Sequence, residues 1–237
     1  MEILNEDFKK LVNQATDMIT GWYDKKLRGS KIYNNKSPAE IREKFKIKGK
    51  NKGTRASEVI KKLEKNLIEA SNFNPSPNYY GYITGGGNQI GIIAEYIKAA
   101  LNQNNLKWHS APANSEIEKI VIEWISEFIG YNKKCGGVLV SGGSVANLMN
   151  LAVMRKVKGG KKIKEKGIYN EEIMRVYVSE EGHSSIDKAM DILGLGSENL
   201  IKVKRDEKFK IQINELEKKI SNDIKSGFKP IGVIGIA

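Results

Sequence analysis

From residue 137 onward, short apolar runs alternate with segments of helical spacing, and few folds accept that alternation. Residues 137–140, 175–179, 200–203 and 231–236 read as strands. Residues 144–157, 185–193 and 214–224 between them read as helices. Short apolar strands separated by helices require crossover connections, and so a mostly parallel sheet with helices on both faces. The expected class is α/β. No internal repeat is visible.

The preceding part reads as helical. Ile3, Phe8, Leu11, Ala15, Met18, Ile19 and Trp22 fall on one stripe. Ser37-Pro38-Ala39-Glu40 carries a cap, a proline at the first helical position and a glutamate three residues after the cap. Residues 56–70 form another amphipathic segment. A stretch rich in Asn, Pro, Gly and Tyr follows, SNFNPSPNYYGYITGGGNQIG, and then helices over about 89–102 and 115–129. The domain reading is a helical N-terminal segment, 1–76, followed by a larger domain, 77–237.

Composition excludes several classes. The 237 residues are 40% hydrophobic, enough for a buried core. No apolar run of about 18 residues suggests a transmembrane helix, and the N-terminus lacks a signal peptide's basic-then-apolar layout. One cysteine, Cys135, excludes an internal disulfide and fits a reducing cytoplasm; it reads as a small buried residue at a strand start. The net charge of +12 comes from lysines spread among glutamates, with only Phe45 interleaved in the densest stretch. That is solvated surface, with 155–167 as an exposed loop, rather than a base-stacking platform. The expectation is no nucleic-acid partner and no membrane.

Ser141-Gly142-Gly143-Ser144 stands where a strand becomes a helix. Ligands of open α/β sheets sit beyond the C-terminal strand ends. Glycine admits close backbone approach, and a helix start offers free N–H groups and a positive dipole end. Together these suit a phosphate, although a plain turn capped by Ser144 has the same pattern. The loop is not a Walker loop, because no Gly-Lys-Ser/Thr follows. Gly85-Gly86-Gly87-Asn88-Gln89-Ile90-Gly91 imitates a dinucleotide loop, but the next 20 residues supply no strand ending in an acid. Of the two histidines, His109 lies in a polar stretch. His183 falls just past a strand and before a helix capped by Ser184 or Ser185, on the same sheet edge as Ser144. Two histidines and one cysteine make no convincing zinc site.

SGGSVANL and EEGHSSIDKA, preceded by PNYYGYITGGG and APANSEIEKIVIEWISEFIG, resemble the group II pyridoxal-phosphate-dependent amino acid decarboxylases, which are similar to sphingosine-phosphate lyases. The resemblance covers about 77–237. It implies a fold type I, transferase-like enzyme that binds pyridoxal 5'-phosphate and works as a homodimer on an amino-acid substrate. Gly143 and Ser144 match the positions that hold the cofactor phosphate. His183 matches the histidine that stacks on the pyridine ring and contacts the substrate carboxylate. Residues 79–85, with Tyr79, Tyr82, Thr84 and Gly85, match the segment lining the substrate side; Ser76-Pro77 stands there where the family usually has His-Pro. The aspartate that keeps the pyridine nitrogen protonated and the lysine that bears the cofactor lie, in the family, beyond the strand matching IGVIGIA. Asp187 and Asp191 do not fill that role.

The expectation is the N-terminal part of a longer carboxy-lyase, inactive alone and with its large domain incomplete. Three readings remain beside it: a non-catalytic subunit or gene remnant, a carbon–carbon lyase of the sphingosine-phosphate-lyase kind, and a basic nucleic-acid-binding protein.

Overall fold

The computed structural model describes residues 3–27, 31–46, 53–132, 135–169 and 171–236. They fall into two units, Met1–Gln103 and Asn104–Ala237.

The first unit is helical. It contains α1 (Asn5–Leu27), α2 (Pro38–Lys44), α3 (Ala56–Leu63), continued by a π turn over Glu64–Ile68, and α4 (Gln89–Leu101). The capping box expected at α2 is present: Ser37 Oγ accepts from the Glu40 N–H, and Glu40 accepts from the Ser37 N–H at 2.7 Å. The Ser37 N–H first, and then the Ser37 side chain, hold the Glu40 carboxyl below its usual titration range. The predicted stripe on α1 turns inward at Leu11, Ala15, Met18, Ile19 and Trp22, whereas Ile3 and Phe8 stay exposed. Phe73 is fully buried, with the Trp22 ring 5.2 Å away, centroid to centroid, in an edge contact. In α4 no residue is buried, and Ile90, Ile93, Tyr96, Ile97 and Leu101 are exposed.

The second unit holds α5 (Pro112–Phe128), α6 (Gly143–Lys166), β1 (Met174–Ser179), α7 (Ser184–Ile192), β2 (Leu200–Val203), α8 (Ile213–Lys225) and β3 (Lys229–Ile234). The three strands are parallel in the order β2-β1-β3. The chain therefore moves one way along the sheet from β1 to β2 and the other way from β2 to β3. Right-handed crossovers then put α7 and α8 on opposite faces. The core agrees. Val176 and Val178 pack with Leu151 of α6 and with Ile186, Ala189 and Met190 of α7. Tyr177, pointing to the other face, packs with Val203 and Leu216 of α8. The α/β sheet with helices on both faces is thus as the sequence predicts.

Three local expectations fail. Residues 137–140 form no strand. The Leu139 N–H donates to Glu118 Oε1 at 2.9 Å instead of joining a ladder. Gly137 lies against α5, where a Cβ would come within 2.9 Å of Ile122. Residues 155–167 are not a loop: α6 continues to Lys166, because long straight-chain lysines favour helix and Ile163 is anchored in the core. Gly160 absorbs a kink there at φ 69°. Cys135 is half-buried outside any strand, its Sγ 3.0 Å from Ser126 Oγ.

On the α8 face, Asp223 binds both Arg175 Nη1 and the Tyr177 hydroxyl, the latter at 2.6 Å, while Arg175 covers the Phe228 ring. Burial first, and then the bond to Asp223, push the Tyr177 hydroxyl well above its ordinary titration range. Asp223→Ala leaves both partners without their acceptor. The expected cost is at the lower end of about 3–5 kcal/mol, since 20% of the Arg175 side chain is exposed; urea unfolding measures it. A raised folded value means that the Tyr177 contribution is present in full below about pH 10 and is lost as pH rises beyond it. Stability between pH 9 and 11 should therefore fall more steeply in the parent than in Tyr177→Phe.

Candidate active site

The reversal of strand order along the parallel sheet creates a crevice beyond the C-terminal ends of β1 and β3. A cavity of about 470 Å³ opens there, lined by Ser179, Glu181, Phe209, Ile211 and Ile234 among others. The turn after β2 folds back over this edge. Arg205 pairs with Glu181 at 2.6 Å, lies over the Phe209 ring at 4.0 Å and forms an antiparallel bridge with Ile211. No local pattern announces this clamp, because its ends are 24 residues apart.

Ser144 and His183 lie outside the cavity lining, at the starts of α6 and α7. Gly142 precedes α6 with φ 149° and ψ 168°, a conformation open essentially to glycine alone. No side chain caps this helix, and among the described residues no hydrogen bond reaches the Gly143 N–H, the Ser144 N–H or the Ser144 hydroxyl. Both residues are exposed, and nothing lies within 4 Å of a Cβ built on Gly143. The result is an open cradle of donors at the positive end of a long helix, suited to an anion.

His183 departs from its expected place: it is itself the N-cap of α7, in place of Ser184 or Ser185. Its Nδ1 accepts the Ser185 N–H at 3.1 Å and stands 2.8 Å from Ser185 Oγ. The Ser185 hydroxyl in turn accepts from Asn147 Nδ2 at 2.9 Å. The first turn of α6, which carries Ser144, is thereby tied to the first turn of α7, which carries His183. Asn147 and Ser185 were missed as site residues, although both stand inside the quoted motifs SGGSVANL and EEGHSSIDKA.

Tyr79, Tyr82, Thr84 and Gly85 lie in the first unit, in an irregular segment. Tyr79 is half-buried and the other three are exposed, with Tyr82 at φ 59°. The segment's far end is held by Tyr23, whose hydroxyl donates to the Gly87 carbonyl at 3.0 Å. A Cβ on Gly86 would meet Pro75 at 2.8 Å, so the chain passes close there. The glycine run ends in a helix cap, Asn88 Oδ1 accepting from the Gly91 N–H, with no strand before it. His109 sits in a short turn against the Trp108 ring. Among the described residues, no three His, Cys, Asp or Glu side chains are grouped to hold a metal, and no helix is long and apolar enough to cross a membrane.

The second unit is thus an open parallel α/β domain with two neighbouring helix starts, one without a side-chain cap and one capped by a histidine. Comparison with known proteins places it in a family. The family model of the pyridoxal-dependent decarboxylase conserved domain matches residues 38–237. An aromatic-L-amino-acid decarboxylase of Bacillus atrophaeus is 26% identical over 237 residues, all of this chain and 48% of the relative. The acidic amino acid decarboxylase GADL1 of Xenopus tropicalis is 30% identical over 202 residues, 84% of this chain and 39% of the relative. The crystal structure of mouse CSAD in apo form superposes with a TM-score of 0.87 at 21% identity, over 96% of this chain and 48% of that one. That of Oryza sativa TDC with PLP and tryptamine gives 0.88 at 18%, over 98% and 49%. The chain belongs to the pyridoxal-dependent decarboxylase family, whose members use pyridoxal phosphate, and its fold is the fold type I arrangement of that family. It spans about half the length, or less, of these relatives.

The strain at the cradle is testable by itself. Gly142→Ala should cost about 1–3 kcal/mol, although nothing lies within 4 Å of the new Cβ. Gly143→Ala, at an ordinary helical position, should leave thermal unfolding almost unchanged. Equal melting temperatures for the two variants would remove the conformational reading of Gly142.

Proposed function

We propose that this chain is the N-terminal part of a pyridoxal-phosphate-dependent carboxy-lyase that decarboxylates an L-amino acid. The observation that carries the reading is the uncapped first turn of α6, with the Gly143 and Ser144 N–H groups and the Ser144 hydroxyl unengaged. These donors fit a phosphate dianion, and the bare Gly143 leaves room for it. Bound there, pyridoxal phosphate supplies an electron sink for the pair released when the substrate's carboxylate leaves. In this reading Gly143 and Ser144 hold the phosphate, His183 lies on the pyridine ring and touches the substrate carboxylate, and Tyr79, Tyr82, Thr84 and Gly85 line the substrate side.

Residues 77–237 form the incomplete large domain of that enzyme, and 1–76 its helical N-terminal segment. No lysine or aspartate among the 237 residues matches the family's cofactor-bearing lysine or pyridine-nitrogen aspartate, so the chain alone is read as inactive. The working form is a cytoplasmic homodimer. The exposed apolar side chains of α4 support the pairing, as do Ile117, Trp124 and Phe128 of α5.

Ser144→Ala removes one hydrogen bond to a charged group and should weaken cofactor binding by about 1.5–3 kcal/mol, read from a fluorescence titration with pyridoxal phosphate. His183→Ala should lower catalysis in the whole enzyme more than it lowers the unfolding temperature. Parental affinity and activity in both variants would overturn the site. So would a single stoichiometric phosphopyridoxyl-lysine within residues 1–237 after borohydride reduction.

A further inference from the structure

The bonds around His183 have a direction. The Ser185 backbone N–H can only donate, so the Nδ1 atom it meets at 3.1 Å is an acceptor. The Ser185 hydroxyl, 2.8 Å from the same Nδ1, must then turn its own proton toward that nitrogen. Its oxygen is left to accept, and Asn147 Nδ2 donates to it at 2.9 Å. Every link agrees: the Asn147 amide to the Ser185 oxygen, the Ser185 proton to Nδ1, and the Ser185 N–H to Nδ1. With Nδ1 engaged twice as an acceptor, the neutral ring carries its proton on Nε2.

We propose that Ser185 and Asn147 are positioning residues that fix His183 as the Nε2–H tautomer, making Nε2 a hydrogen-bond donor toward the substrate carboxylate and not a proton acceptor. The inference rests on the reading of His183 given above. It adds the chemical sense in which the ring faces the substrate: a donor is complementary to a carboxylate, whereas a bare Nε2 lone pair would repel it. Ser185 is 5% exposed, so little water competes for its hydroxyl. Asn147 comes from α6, so the same bond that sets the tautomer also sets where the ring stands relative to the Ser144 turn.

The chain has two histidines, so 15N-histidine labelling gives two ring systems, and His109→Gln assigns them. The experiment is a long-range proton–nitrogen correlation spectrum of the full chain without cofactor. The expected spectrum shows the neutral His183 ring with an unprotonated Nδ1 and a protonated Nε2. Ser185→Ala removes one of the two donors to Nδ1 and should raise the Nδ1–H share roughly two- to tenfold. Asn147→Ala should raise it less, and Ser185→Thr, which keeps the hydroxyl, should restore the parental spectrum. A parental ring protonated on Nδ1, or a tautomer share unmoved by both Ser185→Ala and Asn147→Ala, overturns the inference. If Ser185→Ala does not fold, the parental and Ser185→Thr spectra still decide it. Because the tautomer is read without cofactor, loss of the proposed phosphate site in the Ser144→Ala titration counts against the site alone, and an Nδ1–H ring counts against this inference alone.

Discussion

Burial of β1 on both faces is the constraint from which the second unit follows. Val176 and Val178 are fully buried against α6 and α7, and Tyr177 against α8. A central strand covered on both faces must pair its buried backbone groups with a neighbour on each edge, and the parallel neighbours β2 and β3 then require right-handed crossovers that run in opposite directions along the sheet. The crevice at the C-terminal strand ends is a product of that reversal, so the cavity between the ends of β1 and β3 comes from topology before any side chain is chosen.

Close helix packing turns that crevice into a site. Where α6 runs beside β1, a Cβ at Gly159 would lie 2.4 Å from Ile163 Cδ1 and 2.9 Å from Met174 Cε. On β3, a Cβ at Gly232 would lie 2.5 Å from Met154 Sδ. Glycine at both points lets α6 lie close to the sheet. The Arg155 guanidinium donates to the Leu193 carbonyl at 2.6 Å, and with the Asn147–Ser185 bond it fixes α6 against α7 at two levels. Two helix starts are thus held side by side, one presenting free N–H groups and the other an imidazole. For an anionic ligand the electrostatic sense of both is favourable.

The first unit follows a different rule. Its order comes from local caps and a small aromatic cluster: the capping box of α2, the Asn88 cap of α4, and Trp22 and Tyr23 against Phe73. The apolar face of α4 has no buried residue. An apolar helix face of this size on water is costly, and it supports the proposed pairing of subunits.

The sequence by itself determined the elements governed by short-range physics. The alternation of apolar runs set the three strands and their crossover helices. Ser37 with Glu40 set the start of α2. Gly142 set the start of α6, because its backbone conformation is barred to other residues. The motifs around Ser144 and His183 were legible for the same reason, since each occupies a single turn. Only the tertiary structure decided that residues 137–140 stay out of the sheet, with the Leu139 N–H on Glu118. Only it brought Asn147 to Ser185 and Arg205 to Glu181. Those outcomes turn on which partner a backbone or side-chain group meets across 21 to 38 residues of chain. Periodicity reports which face of an element is apolar, but the partner of a polar group is fixed only when the elements pack, because the bond then replaces one to water.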